Sequence, residues 1–132
     1  MNKKGFTLIE VMLVVVILGI LAAMVVPKLT GRSEDARKSI AKSDIESNLA
    51  LALDLYETDM GSYPESLDSL ISAPSEDEED WKGPYLKKKP VDPWGRTYVY
   101  KYPGEHNEDG YDLSSSGKDG QEGTADDVKN WE

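Results

Sequence analysis

The sequence predicts an α+β protein: a long amino-terminal helix, membrane-suited in its first half and amphipathic in its second, packed on a small antiparallel sheet. Three observations predict it. Phe6 to Val26 is a nearly unbroken apolar run, residues 33–60 place apolar side chains at helical spacing, and "TYVYKY" and "GYDLSSS" are short strand signals set among prolines and glycines. The chain has 132 residues, which bounds it to one modest domain. About a hundred residues follow the apolar segment, enough for a small core. A net charge of -10 excludes nucleic acid as a partner, because phosphate binding needs a basic face. Such a surface suits a secreted or cell-surface protein, or one that binds cations, and it also serves solubility alone. Without cysteine there is no disulfide, thiolate metal site or thiol nucleophile. The single histidine, His106, reads as a loop residue and leaves neither a histidine-built metal site nor a Ser-His-Asp triad. No phosphate-binding glycine loop appears, so nothing points to an enzyme.

The first element is apolar all round, which marks a membrane span rather than a surface helix. Its length is close to the ~20 residues that cross the hydrocarbon. Lys3 and Lys4 predict a cytoplasmic amino terminus. Glu10 is the anomaly, since a charge at membrane depth costs about 2.5–3.5 kcal/mol. A secretory signal peptide fits the basic start, but its apolar region is shorter, holds no acid and ends at a small-residue cleavage site that is lacking here. A plain single-span anchor fits the length and leaves Glu10 without a role. A third reading gives the acid a partner. "GFTLIE" resembles the class III signal-peptide motif of the type IV pilin family. The resemblance implies cleavage between Gly5 and Phe6 by a prepilin peptidase, N-methylation of Phe6, and filament assembly in which Glu10 meets the Phe6 amine of a neighbour. Opposite charges in low dielectric offset each other's burial. It divides the chain into a leader at 1–5, a transmembrane assembly helix at 6–27 and a globular domain at 28–132.

Pro27 is expected to kink or interrupt the helix, with Gly31 and Arg32 a second loose point. Ser33 reads as the N-cap of the amphipathic half, with Glu34 and Asp35 in its first turn. Ala36, Ile40, Leu49, Ala52, Leu53, Tyr56 and Met60 form its apolar stripe, and Gly61 its C-cap. The expected form is one long helix. "GSYPESLDSLISAP" predicts a turn and a short helix from about Pro64 to Ile71. "SEDEED" is a solvated loop. "DPWG" is a turn before the first strand. Trp94 and Trp131 are expected to belong to the aromatic core.

The last element is "YDLSSSGKDGQEGTADDVKNWE". Its acids lie among Gly117, Gly120 and Gly123, which let the chain turn sharply. Clustered carboxylates and free carbonyls suit a hard cation such as Ca²⁺, which takes about six to eight oxygens. A solvated acidic tail has the same composition. The EF-hand template fails, because its twelfth position counted from Asp112 is Gly123.

"GPYL", "DPWG" followed by "YVY", "PGEH" and "YDLSSSGKDGQEGTADD" together resemble the major pseudopilins of type II secretion, the general secretion pathway protein G family. The resemblance runs from Gly5 nearly to the end, apart from the acidic loop around Glu76–Asp80. It implies the type IV pilin-like fold and one calcium ion in the last loop. Side chains of Asp119, Asp126 and Asp127 would bind it, with the backbone carbonyls of Leu113 and Ser116 and, less firmly, Gln121. Asp112 reads as a turn or capping residue beside the site. The implied role is a structural subunit of the pseudopilus, a helical homopolymer that drives folded exoproteins through the outer-membrane secretin. The implied partners are further copies of itself, minor pseudopilins, the inner-membrane assembly platform and the prepilin peptidase. The implied location is the bacterial inner membrane, single-pass, with the carboxyl-terminal domain in the periplasm. A type IV pilus subunit is the alternative, since the amino-terminal motif fits both.

Overall fold

A computed structural model describes residues 3–132. Helical backbone runs Leu8–Met60. It consists of α1 (Leu8–Ser43), one wide π turn (Asp44–Asn48) and α2 (Leu49–Met60). A 3-10 turn at Leu67–Leu70 follows, then β1 (Val99–Lys101), β2 (Asp112–Ser115) and β3 (Val128–Lys129). The strands form one antiparallel sheet with β2 in the middle. This long helix with its small antiparallel sheet is the architecture predicted above. The chain divides into two compact units, one ending at Ala36 and the other Arg37–Glu132.

In the first unit the described apolar side chains of α1, from Leu8 to Val26, are exposed. Leu8 is 80% exposed and Val26 57%, and those between lie open on every face of the helix. Such a surface is stable only against lipid or other apolar helices. Neither Pro27 nor Gly31 interrupts α1, which is helical through both, in keeping with the single long helix expected. One missing backbone donor leaves the neighbouring turns of the ladder intact. Ser33 therefore caps nothing, because it lies inside α1 rather than at a helix start.

The second unit builds its core between α2 and the sheet. Leu49, Ala52, Leu53 and Tyr56 are buried as predicted, and they meet Leu67, Leu70, Tyr98 and Leu113. Ile40, however, is 54% exposed, whereas Ile45 and Ala41 are buried. Nine residues from 40 to 49 advance roughly two and a half turns, so Ile40 and Leu49 face opposite ways. The π turn then keeps Ala41, Ile45 and Leu49 on one face. Gly61 ends α2 as predicted, with φ 83° and its N–H donating to the Glu57 carbonyl at 2.7 Å.

The short helix expected at Pro64–Ile71 is a 3-10 turn beginning only at Leu67. Leu67 and Leu70 are both buried, and a three-residue turn stacks i and i+3 on one side. Pro64 is buried outside it and accepts a bond from the Tyr100 hydroxyl at 2.7 Å. Residues 72–80, including "SEDEED", are exposed loop as predicted. Trp94 and Trp131 are half-buried and lie outside the core cluster. Trp131 instead stacks on His106 with centroids 4.3 Å apart. Trp81 takes the expected aromatic role, packed on the core with its indole N–H donating to the Ser69 carbonyl at 2.8 Å.

Candidate metal centre and amino-terminal motif

The loop between β2 and β3 folds back on itself. Asp119, Asp126 and Asp127 each offer an oxygen, and these oxygens lie within 4.8 Å of one another. The Asp119 N–H donates to Asp126 Oδ2 at 2.9 Å, and the Gly123 N–H to Asp127 Oδ2 at 2.6 Å. The Thr124 hydroxyl lies 2.5 Å from Asp126 Oδ1 and 3.2 Å from Asp127 Oδ1. The Thr124 hydroxyl and the Asp119 N–H hold the Asp126 carboxyl down at about 2, so it is an anion at neutral pH. Three carboxylates drawn together with no nitrogen or sulfur donor among them form a cluster that could hold a hard metal ion.

Leu113 is fully buried in β2, and its carbonyl accepts the Asn130 N–H at 3.1 Å. That uses one of the carbonyl's two lone pairs. Ser116 is buried just after the strand. The chain then turns at Gly117 with φ 65°, against the backbone of Asp126. A Cβ at Gly117 would collide with the Asp126 carbonyl oxygen, so only glycine lets the two ends of the loop approach. The Gln121 carbonyl accepts the Thr124 hydroxyl at 3.1 Å.

Two residues that support the loop are absent from the sequence reading. Asp92, buried in the turn before β1, accepts the Trp94 and Arg96 N–H groups at 3.1 and 2.8 Å. Its other oxygen accepts the Ser115 hydroxyl at 2.7 Å, and Ser115 Oγ in turn accepts the Gly117 N–H at 3.2 Å. Arg96 donates to the Gly117 carbonyl at 3.0 Å. An aspartate opening a "DPWG" turn signals its local bonds, but not its reach to Ser115. Asp112 has the organising role expected of it. Its carboxylate accepts the N–H groups of Glu105, His106 and Asn107 at 2.8–3.0 Å and faces His106 Nδ1 at 3.0 Å. His106 is in a loop, as predicted.

At the other end, Glu10 and Thr7 bond reciprocally. The Thr7 N–H donates to Glu10 Oε2 at 3.5 Å, and the Glu10 N–H to Thr7 Oγ1 at 3.3 Å. This is a capping box at the start of α1, and "TLIE" carries its S/T-x-x-E spacing. Phe6 is 85% exposed.

The family profile described as "Type II secretion system (T2SS), protein G" matches residues 28–131. The chain belongs to the type II secretion system protein G family. A second profile, the prokaryotic N-terminal methylation motif, matches residues 1–26. The chain is 47% identical to type II secretion system core protein G of Escherichia coli (strain K12) over 136 residues, covering 98% of this chain and 92% of the other. It is also 47% identical to core protein G of Pseudomonas aeruginosa over 140 residues, covering 99% and 96%. Among solved structures, the major pseudopilin of the type 2 secretion system of enterohaemorrhagic E. coli is similar, with TM-score 0.65 and 30% identity over 78% of this chain and 89% of that one. Membership of the protein G family favours the secretion reading over the surface-pilus alternative. The family is one of structural subunits, not enzymes.

Proposed function

We propose that this chain is the major subunit of a type II secretion pseudopilus. Residues 1–5 are a leader removed by the prepilin peptidase, and Phe6 becomes the methylated first residue. Residues 6–27 anchor the chain in the inner membrane as a single pass, and residues 28–132 form the periplasmic domain. Subunits leave the membrane by packing their apolar helices together, with the assembly platform and minor pseudopilins as partners. The growing helical filament drives folded exoproteins through the outer-membrane secretin.

The observation that carries this reading is the amino-terminal helix, whose apolar side chains are open on every face yet begin beside one carboxylate. Lipid covers those side chains in the free subunit, and neighbouring helices cover them in the filament. Glu10 then pairs across subunits with the Phe6 amine, which offsets the desolvation of both. In Glu10→Ala, filaments recovered from cells should fall to background while the chain remains in the membrane. Normal filament yield from that variant overturns the assembly role.

We further propose that the β2–β3 loop holds one calcium ion. Asp119, Asp126 and Asp127 supply the carboxylates, and the Leu113 and Ser116 carbonyls complete the oxygen set. The bound ion supplies positive charge that cancels the repulsion among three close carboxylates. In a chain without cysteine the loop residues thereby fix the approach of β3 to β2.

A further inference from the structure

The protein G family resemblance leaves one segment unexplained, the acidic run Glu76–Asp80. Its five residues are all acidic and all exposed. Among the described residues none of them forms an ion pair. The run is not loosely hung. Trp81 is bonded to the Ser69 carbonyl, and the Tyr85 and Leu86 N–H groups both donate to the Leu70 carbonyl at 2.8 and 3.1 Å. The acids therefore project from a base pinned to the core.

Immediately after this base lies a groove with the opposite character. Its floor is apolar, with Leu49, Leu86 and Val91, and Val91 is 53% exposed. Asp44 and Asn48 also line it, and the Asp44 carboxylate is occupied there, accepting the Tyr98 hydroxyl at 2.9 Å and the Asn48 amide at 2.8 Å. Its rim carries Lys87 and Lys88, both exposed and without an ion pair among the described residues. Lys89 is already paired with Asp68 at 3.3 Å. In a chain of net charge -10, two unspent lysines over exposed apolar surface are the counterpart of five unspent acids.

We propose that the groove at Leu86–Val91 is the seat for the acidic loop of a second copy of this chain. The Glu76–Asp80 carboxylates would meet Lys87 and Lys88, and Ala73 and Pro74 would cover the apolar floor. Because loop and groove are different surfaces, the contact is heterologous. It propagates head to tail instead of closing into a two-fold dimer, as a helical filament requires. The proposal rests on the filament reading above and names one of its contacts.

The test uses the full chain, whose lack of cysteine makes any disulfide diagnostic. Cells co-expressing Glu79→Cys and Lys88→Cys chains, oxidised after assembly, should yield cross-linked dimers in sheared filaments, and the double variant a multimer ladder. Lys87→Glu with Lys88→Glu should lower filament yield about fivefold, the scale of two surface ion pairs. Adding Glu78→Lys and Glu79→Lys to that chain should restore it. Filaments of unchanged yield with no 79–88 cross-link, or with a disulfide confined to monomers, overturn the docking proposal and leave the filament reading standing. Cross-linking of Lys88→Cys only to a different protein overturns the choice of occupant. If the unsubstituted chain forms no filament, the filament reading itself fails, and the proposal with it.

Discussion

Asp112 illustrates how one buried carboxylate can organise a loop. Burial opposes its charge, but the N–H groups of His106 and Asn107, the His106 ring and the Glu105 N–H outweigh that. Together they hold the carboxyl at about 2, below its ordinary 3.8. A depressed carboxyl contributes stability that is complete above its unfolded value and lost as pH falls through its folded value. The contribution is at most about 2 kcal/mol. Thermal melting between pH 4 and pH 2 should therefore steepen in the wild-type chain relative to Asp112→Asn, and the two curves should run parallel above pH 5. Equal pH profiles would remove Asp112 from this role. At this scale the sequence was partly legible. Asp119, Asp126 and Asp127 of "GKDGQEGTADD" cluster as read, because they lie within nine residues of one another. Asp92 was not legible, because its bond to Ser115 spans 23 residues. The capping box at Thr7 and Glu10 is written in the T-x-x-E spacing.

Among the elements, α2 was the most legible, since its stripe at Leu49, Ala52, Leu53 and Tyr56 obeys one period. The stripe failed upstream at Ile40, which lies roughly two and a half turns from Leu49 and so faces away from the core. The segment after Pro64 reads equally as a short α-helix or a 3-10 turn, and burial of both Leu67 and Leu70 decided between them. β3 spans only two residues, too short for any alternation, and was not located in advance. Leu53 is fully buried and belongs to the core cluster that α2, the 3-10 turn and β2 share. Leu53→Ala should cost about 2–5 kcal/mol by lost burial and a residual cavity. Urea unfolding of the chain would read this as a lower midpoint with an unchanged slope. A shift below 1 kcal/mol would mean the core collapses around the vacancy.

For the molecule as a whole, no disulfide is available and the sheet is small, so stability leans on the loop that joins β2 to β3. Ligand binding to the folded form alone raises stability by mass action. Calcium chelation should lower the melting temperature by several degrees, and Asp119→Ala should melt low with or without chelator. A melt indifferent to both refutes the calcium proposal. The bonds around Asn130 carry a different consequence. Its side chain accepts the Leu113 N–H at 3.0 Å and donates to the Tyr111 carbonyl at 3.0 Å, while its own N–H reaches the Leu113 carbonyl. The amide group thus extends β3 past the point where the backbone strand stops. The sheet's middle strand takes its second neighbour from residues 128–130, so a growing chain cannot finish its sheet until those residues are made. Until then β2 presents a bare edge to any extended peptide nearby, which makes the interval before residues 128–130 dock the one in which the sheet most needs protection.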